Sequence, residues 1–180
     1  MYIQGKKPQA IYSTNVILKA FNQLMKFETY EEITITQLCQ YADIARTTFY
    51  RHFESKDDVV ELYLHQISKD LFSDYPKPRD MHQVILDYYQ VVMNYQDLLF
   101  FISKNHLDYL LKKSICSILC NFSIKDQIHK SPIPHDFAME YISSIVCSIL
   151  LLWTEHSFLE SIEEISNITE TCLSGISIEE

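Results

Sequence analysis

Glycine is nearly missing from this chain: its 180 residues hold two, Gly5 and Gly175, together with only five prolines, where average usage is about 7% and 5%. A phosphate-cradling loop needs glycines four or five residues apart at a helix start, so neither Walker A nor dinucleotide-binding chemistry can be built here. The five cysteines (Cys39, Cys116, Cys120, Cys147, Cys172) form no CxxC pair, are odd in number and sit among apolar neighbours. With no N-terminal signal peptide, this predicts a reduced, cytoplasmic protein. The longest apolar stretch, Phe137 to Trp153, carries Glu140 and several serines and falls short of the roughly 18 to 20 apolar residues of a membrane span, so no membrane partner is expected. A nucleophile elbow and an HExxH run are also lacking, and Asp57-Asp58 read better as helix-start residues than as an acid/base pair. An enzyme is therefore not expected.

What is present is globular composition, 47% apolar and 13% aromatic, which separates the chain from disordered sequences. Its length suits one ordinary domain or two small ones. The net charge of -9 is unevenly spread. Residues 1–56 carry seven basic side chains against five acidic ones, which leaves the remainder at -11. A mildly basic head on an acidic body fits a protein that meets a polyanion with its head only.

Helix-breaking residues cluster at two joints, Asp74-Tyr-Pro-Lys-Pro-Arg-Asp80 and Ser131-Pro-Ile-Pro-His135. Between them apolar residues recur at three- and four-residue spacing, as in Val84, Leu86, Tyr88, Val91, Val92 and Tyr95, which predicts an all-α fold. In the head, Ser13 or Thr14 is expected to cap a helix through Val16, Ile17, Ala20, Phe21 and Leu24. Thr34-Ile-Thr-Gln37 is a capping box that opens a short second helix, and Ser55-Lys-Asp-Asp58 is a third start with two carboxylates in its first turn. Between these starts only Asp43-Ile-Ala45 separates Ala42 from Arg46-Thr-Thr-Phe-Tyr-Arg-His-Phe53, a helix, a tight turn and a helix.

At about 100° per residue, Phe49 and Phe53 project together toward Leu38, Ala42 and Ile44. The opposite side shows Thr47, Thr48 and Arg51, flanked by Arg46, Tyr50 and His52. These are hydrogen-bond donors suited to a major groove, where arginine reaches guanine edges and threonine methyls meet thymine methyls. Tyr50 and Lys56 sit where they can hold phosphate, helped by backbone N–H groups near Thr34 and Ser55.

The run from Thr34 to Val60 resembles the DNA-binding region of TetR/AcrR-type transcriptional regulators, above all in Thr48-Phe49-Tyr50 followed by Phe53 and Lys56. The likeness covers roughly residues 10–65. It implies that Arg46, Thr47, Thr48, Arg51 and His52 face the groove and that Thr34, Tyr50 and Lys56 touch phosphate, with Thr36 added to the DNA-binding set. Asp43 stands where such proteins usually have a turn glycine, and aspartate tolerates left-handed geometry better than most residues. The resemblance implies a three-helix helix-turn-helix domain over 1–56, a connecting helix over about 57–74, and an antiparallel helical effector-binding and dimerisation domain over 75–180. It also implies a repressor released from a palindromic double-stranded operator by a small molecule. The alternative is a protein of this fold controlled by, or acting through, a partner protein.

From Ile142 to Trp153 apolar residues cover nearly every side of a helix, and such a helix is buried all round. One side is expected in the core and the other against a second copy of the chain. The capping box Ser161-Ile-Glu-Glu164 opens a further helix that completes a homodimer interface from Ile145, Ile149, Leu152, Trp153, Ile165, Ile168 and Cys172. Candidate effector-lining residues are Tyr88, Tyr89, Met93, Phe100, Phe101, His106, Tyr109 and Trp153, since aromatic and methionine side chains line ligand pockets as well as cores. Cys116 and Cys120 share a helix face in the half that holds His106, His129, His135 and His156, but their apolar neighbours make them small core residues rather than metal ligands. No metal and no cofactor are expected.

Overall fold

The computed structural model describes residues 8–72, 81–121 and 134–174, and every regular element among them is helical. The chain forms two compact units that divide between Gln66 and Ile67.

In the head, α1 (Pro8–Leu24) buries Ile17, Ala20, Phe21 and Leu24, the spacing of one helix face. It begins well before Ser13, because proline is accommodated in a first turn whose N–H has no intrahelical partner. Ser13 and Thr14 therefore lie inside α1 rather than at its start, and the Thr14 hydroxyl donates to the Ile11 carbonyl at 3.0 Å. The α2 cap is as expected. Thr34 Oγ1 accepts from Gln37 N–H at 3.1 Å and the Gln37 side chain accepts from Thr34 N–H at 2.8 Å, opening α2 (Ile35–Tyr41). Asp43 turns the chain at φ 50°, and α3 (Arg46–Tyr50) follows. Asp58 closes the next box by accepting from Ser55 N–H at 3.2 Å and Glu54 N–H at 2.6 Å, opening α4 (Lys56–Phe72). Leu38, Phe49 and Phe53 are buried with Ile17 and Phe21, and Phe21 meets Tyr63 edge-on at 6.4 Å.

The body holds α5 (Met81–Val92), a 3-10 turn at Met93–Tyr95, α6 (Gln96–Lys104), α7 (Asp108–Asn121), α8 (His135–Glu155) and α9 (Ile162–Ser174). Helix α8 packs against α6, α7 and α9, while α9 also packs against α5. With 21 residues, α8 is long and apolar enough by composition to cross a membrane, which corrects the expectation that this stretch is too short. In the fold it is a core helix: Ser143 and Thr154 are fully buried, and their hydroxyls donate to the carbonyls of Glu140 and Leu150. The Ser161 box forms as expected, with Glu164 accepting from Ser161 N–H at 2.7 Å. Between α8 and α9, Ser157 and Phe158 hold φ 56° and 57°, and Trp153 Nε1 donates to the Glu160 carbonyl at 3.0 Å. Pro76, Pro78, Pro132 and Gly175 lie outside the described residues.

Candidate nucleic-acid interface

The exposed face of the head is set by what α3 buries. Phe49 and Phe53 stack with ring centroids 5.3 Å apart beneath the helix, so Arg46, Thr47, Tyr50 and Arg51 are exposed, with Thr48 and His52 half-buried beside them. No carboxylate lies within α3. Asp43 makes this presentation possible: its left-handed backbone turns the chain out of α2 without a glycine, and aspartate is among the residues that bear that geometry at low cost.

Arg46 and Tyr50, one helical turn apart, act as a pair. The guanidinium donates to the Tyr50 hydroxyl at 3.4 Å and lies 5.9 Å from the ring centroid, and that hydrogen bond holds the Arg46 pKa above its ordinary value. His52 is pushed the other way, first by burial and then by the Arg51 charge, so it presents a neutral ring more readily than a free histidine does. An open depression of about 510 Å³ joins Thr36 and Gln40 of α2 to the turn and to Arg46. Thr36 and Arg46 thus share one concave surface.

Two of the expected phosphate contacts have protein partners already. Thr34 spends its hydroxyl on the cap, donating to Gln37 Oε1 at 2.7 Å. Gln37 Nε2 in turn reaches the Glu28 carboxylate at 2.9 and 3.0 Å. Lys56 Nζ donates to the Tyr30 carbonyl at 2.6 Å and stands 4.3 Å from the centre of the Tyr30 ring. Burial pulls the Lys56 pKa down from its ordinary value, against the charges of Asp57 and Glu31. Nothing in the sequence marks Tyr30 or Glu28 as part of this face. Tyr30 lies 26 residues from Lys56, and no local spacing signals such a pair.

In the body, the sequence-selected aromatics partly converge. Tyr88, Tyr89, Trp153, Phe158 and Phe100 form a chain of edge-to-face contacts with successive centroid distances of 5.5, 5.6, 5.1 and 5.3 Å. The Tyr89 hydroxyl bonds Thr169 Oγ1 at 2.7 Å. Phe101 is buried and Met93 half-buried, whereas His106 and Tyr109 are exposed. Of the expected dimer residues, Leu152 and Ile168 are 53% and 46% exposed, Cys172 is exposed, and Ile145 and Ile149 are half-buried. Trp153 and Ile165 are 1% and 4% exposed within the single chain, so these two side chains have no surface left to give to a second copy. Cys116 packs with Leu119 and Ile142 against Ala138 and Met139, and among the described residues no three metal-ligating side chains converge.

Residues 17–63 match the family model of bacterial regulatory proteins, tetR family. The chain is 25% identical over 147 residues, 78% of its length and 79% of the relative's, to a Lactococcus lactis protein described as the HTH-type dhaKLM operon transcriptional activator DhaS. Among solved structures, a TetR transcriptional regulator from Streptococcus agalactiae superposes with a TM-score of 0.68 at 20% identity, over 92% of this chain and 95% of that one. A Listeria innocua protein superposes with a TM-score of 0.78 at 12% identity, over 92% and 91%. Residues 17–63 thus match the DNA-binding domain of tetR-family regulators, and the chain as a whole shares its all-helical fold with solved proteins of that kind.

Proposed function

We propose that the protein binds a palindromic DNA operator as a homodimer in the cytoplasm, represses the adjacent promoter, and is released when a small molecule binds its body. The carrying observation is the exposed face of α3 and its C-terminal cap, where Arg46, Thr47 and Tyr50, and then Arg51, stand exposed beside buried Phe49 and Phe53. In this reading Arg46, Thr47, Thr48, Arg51 and His52 meet base edges, and Thr34, Thr36, Tyr50 and Lys56 meet the backbone.

The homodimer is supported by the apolar surface of α8 and α9 at Leu152 and Ile168, half exposed in the single chain. Large apolar side chains left open on two neighbouring helices are the material of an isologous interface. A two-fold dimer carries two reading helices, as a palindrome requires. The effector reading rests on the aromatic chain from Tyr88 to Phe100 through Trp153, with Met93 and Phe101 on neighbouring positions. An effector acts there only if it binds the DNA-incompetent state more tightly. A second reading, activation, is favoured by the name of the Lactococcus lactis relative, an operon activator.

Selection of duplexes from a random pool by the purified chain tests the core of the proposal. The expected result is an inverted repeat bound by two chains per duplex, with Arg51→Ala weakening that duplex by about 1 to 3 kcal/mol while leaving unrelated DNA nearly unaffected. Recovery of no enriched sequence would defeat autonomous DNA reading and leave control through a partner protein as the better account.

A further inference from the structure

We propose that Tyr30 is a positioning residue for DNA binding, whose ring and carbonyl hold the Lys56 ammonium aimed outward for a backbone phosphate. The inference rests on the reading of Lys56 as a phosphate contact. A lysine ends in three N–H donors on a flexible four-carbon stem, and ordering that stem costs conformational entropy whenever it happens. Here one donor is committed to the Tyr30 carbonyl at 2.6 Å and the ammonium rests 4.3 Å from the ring centre. Lys56 is half-buried as a residue, and its other two donors are the ones offered to the phosphate. The ordering is thus complete before DNA arrives, which favours binding.

Tyr30 can do this because it is itself fixed. Its hydroxyl donates to the Asp57 carboxylate, the residue next to Lys56. The turn that carries it is closed by Glu32, which accepts from both the backbone N–H and the hydroxyl of Thr29 at 2.8 Å. Ile33, fully buried, anchors the far end, and its N–H donates to the Thr29 carbonyl at 3.1 Å. The Glu28 carboxylate then ties the same turn to Gln37 in α2. Through these bonds the first turn of α4 is referenced to the helix that precedes the reading helix.

The test is a double-mutant cycle on the full chain, read by anisotropy against a duplex selected by the wild-type protein, over a salt series. Lys56→Ala is expected to weaken binding about three- to tenfold and to lower the salt slope by about one contact. Tyr30→Leu is expected to weaken wild-type binding about threefold but to change the Lys56→Ala protein by less than about 1.5-fold, since nothing is left to aim. Tyr30→Phe keeps the ring under the ammonium and is expected to stay within about twofold of wild type. Circular dichroism checks folding, and Tyr30→Met takes the place of Tyr30→Leu if the latter unfolds. A Tyr30→Leu loss that persists undiminished in the Lys56→Ala background, or a Tyr30→Phe loss as large as that of Tyr30→Leu, would overturn the inference alone. A Lys56→Ala protein with unchanged affinity and salt slope would remove the phosphate reading and the inference with it.

Discussion

On α3 of the head, the side chains facing out are guanidinium, hydroxyl and phenol groups, and those facing in are phenylalanine. On α8 of the body, apolar side chains point both ways: Leu150 and Trp153 are buried while Leu152 is more than half exposed. The contrast separates two kinds of recognition. A donor-rich face without carboxylates has an attraction for a polyanion that salt weakens, whereas an apolar face gains only when another apolar surface removes it from water. Both regions use capping boxes, at Thr34 in the head and Ser161 in the body, but the head also ties distant elements through polar groups, Tyr30 to Asp57 and Gln37 to Glu28, where the body uses a chain of rings.

That division is broken hardest by Trp153→Ala, which removes the ring between Tyr89 and Phe158 and the hydrogen bond to Glu160. A loss of about 3 to 5 kcal/mol is expected in denaturant unfolding of the body. A loss below about 1 kcal/mol would show that the aromatic chain is not its mechanical centre.

Alkaline pH provides the next test, centred on the body, although burial also raises the Cys39 thiol of the head. Burial pushes the Cys147 thiol up to about 11 and, with partial relief from the Thr169 hydrogen bond, the Tyr89 phenol up to about 12. Both groups hold their protons more tightly folded than unfolded. Their contribution to stability is therefore complete below the ordinary values of 9.0 and 10.0 and is lost as pH rises toward about 11 and 12. Urea midpoints measured from neutral to alkaline pH should fall above about 9, and Cys147→Ala should remove the first part of that fall.

Smaller and equal effects are expected from the caps. Thr34→Ala in the head and Ser161→Ala in the body each remove one capping box, at about 1 kcal/mol. Anisotropy then separates them, because only Thr34→Ala should also weaken DNA binding. Equal affinity in the two variants would assign Thr34 to the cap alone. The smallest change is Asp43→Gly, which relieves a φ of 50° but frees the unfolded chain, for a net shift within about 0.5 kcal/mol. Asp43→Val, which cannot take that geometry cheaply, should cost about 1 to 2 kcal/mol by thermal denaturation.

Legibility followed the distance over which each interaction acts. The boxes at Thr34, Ser55 and Ser161 close between residues three apart, so residue type and spacing specify them fully. Phe49 and Phe53 are buried together, as the four-residue step predicts, although α3 ends at Tyr50 and Phe53 lies just past it rather than on the expected helix through Phe53. Ser13 and Thr14 misled because cap residues are also tolerated inside a helix, where a hydroxyl bonds back to an earlier carbonyl. The aromatic chain was legible only as a set of residue types. Phe158, which joins Trp153 to Phe100, was absent from that set, and its place depends on two successive left-handed residues that no spacing announces.

The sequence by itself determined the helical class, the helix-turn-helix and the donor face of α3, because periodicity and capping are local and need no knowledge of neighbours; the turn is one residue longer than its spacing suggests, since α2 ends at Tyr41. Only the tertiary structure decided that Trp153 and Ile165 turn inward while Leu152 and Ile168 stay open, and that Tyr30 underlies Lys56. A helix apolar on every side does not specify which side its own chain covers, and a lysine does not specify which distant ring will hold it. Both depend on contacts between residues far apart in the chain, which packing alone brings together.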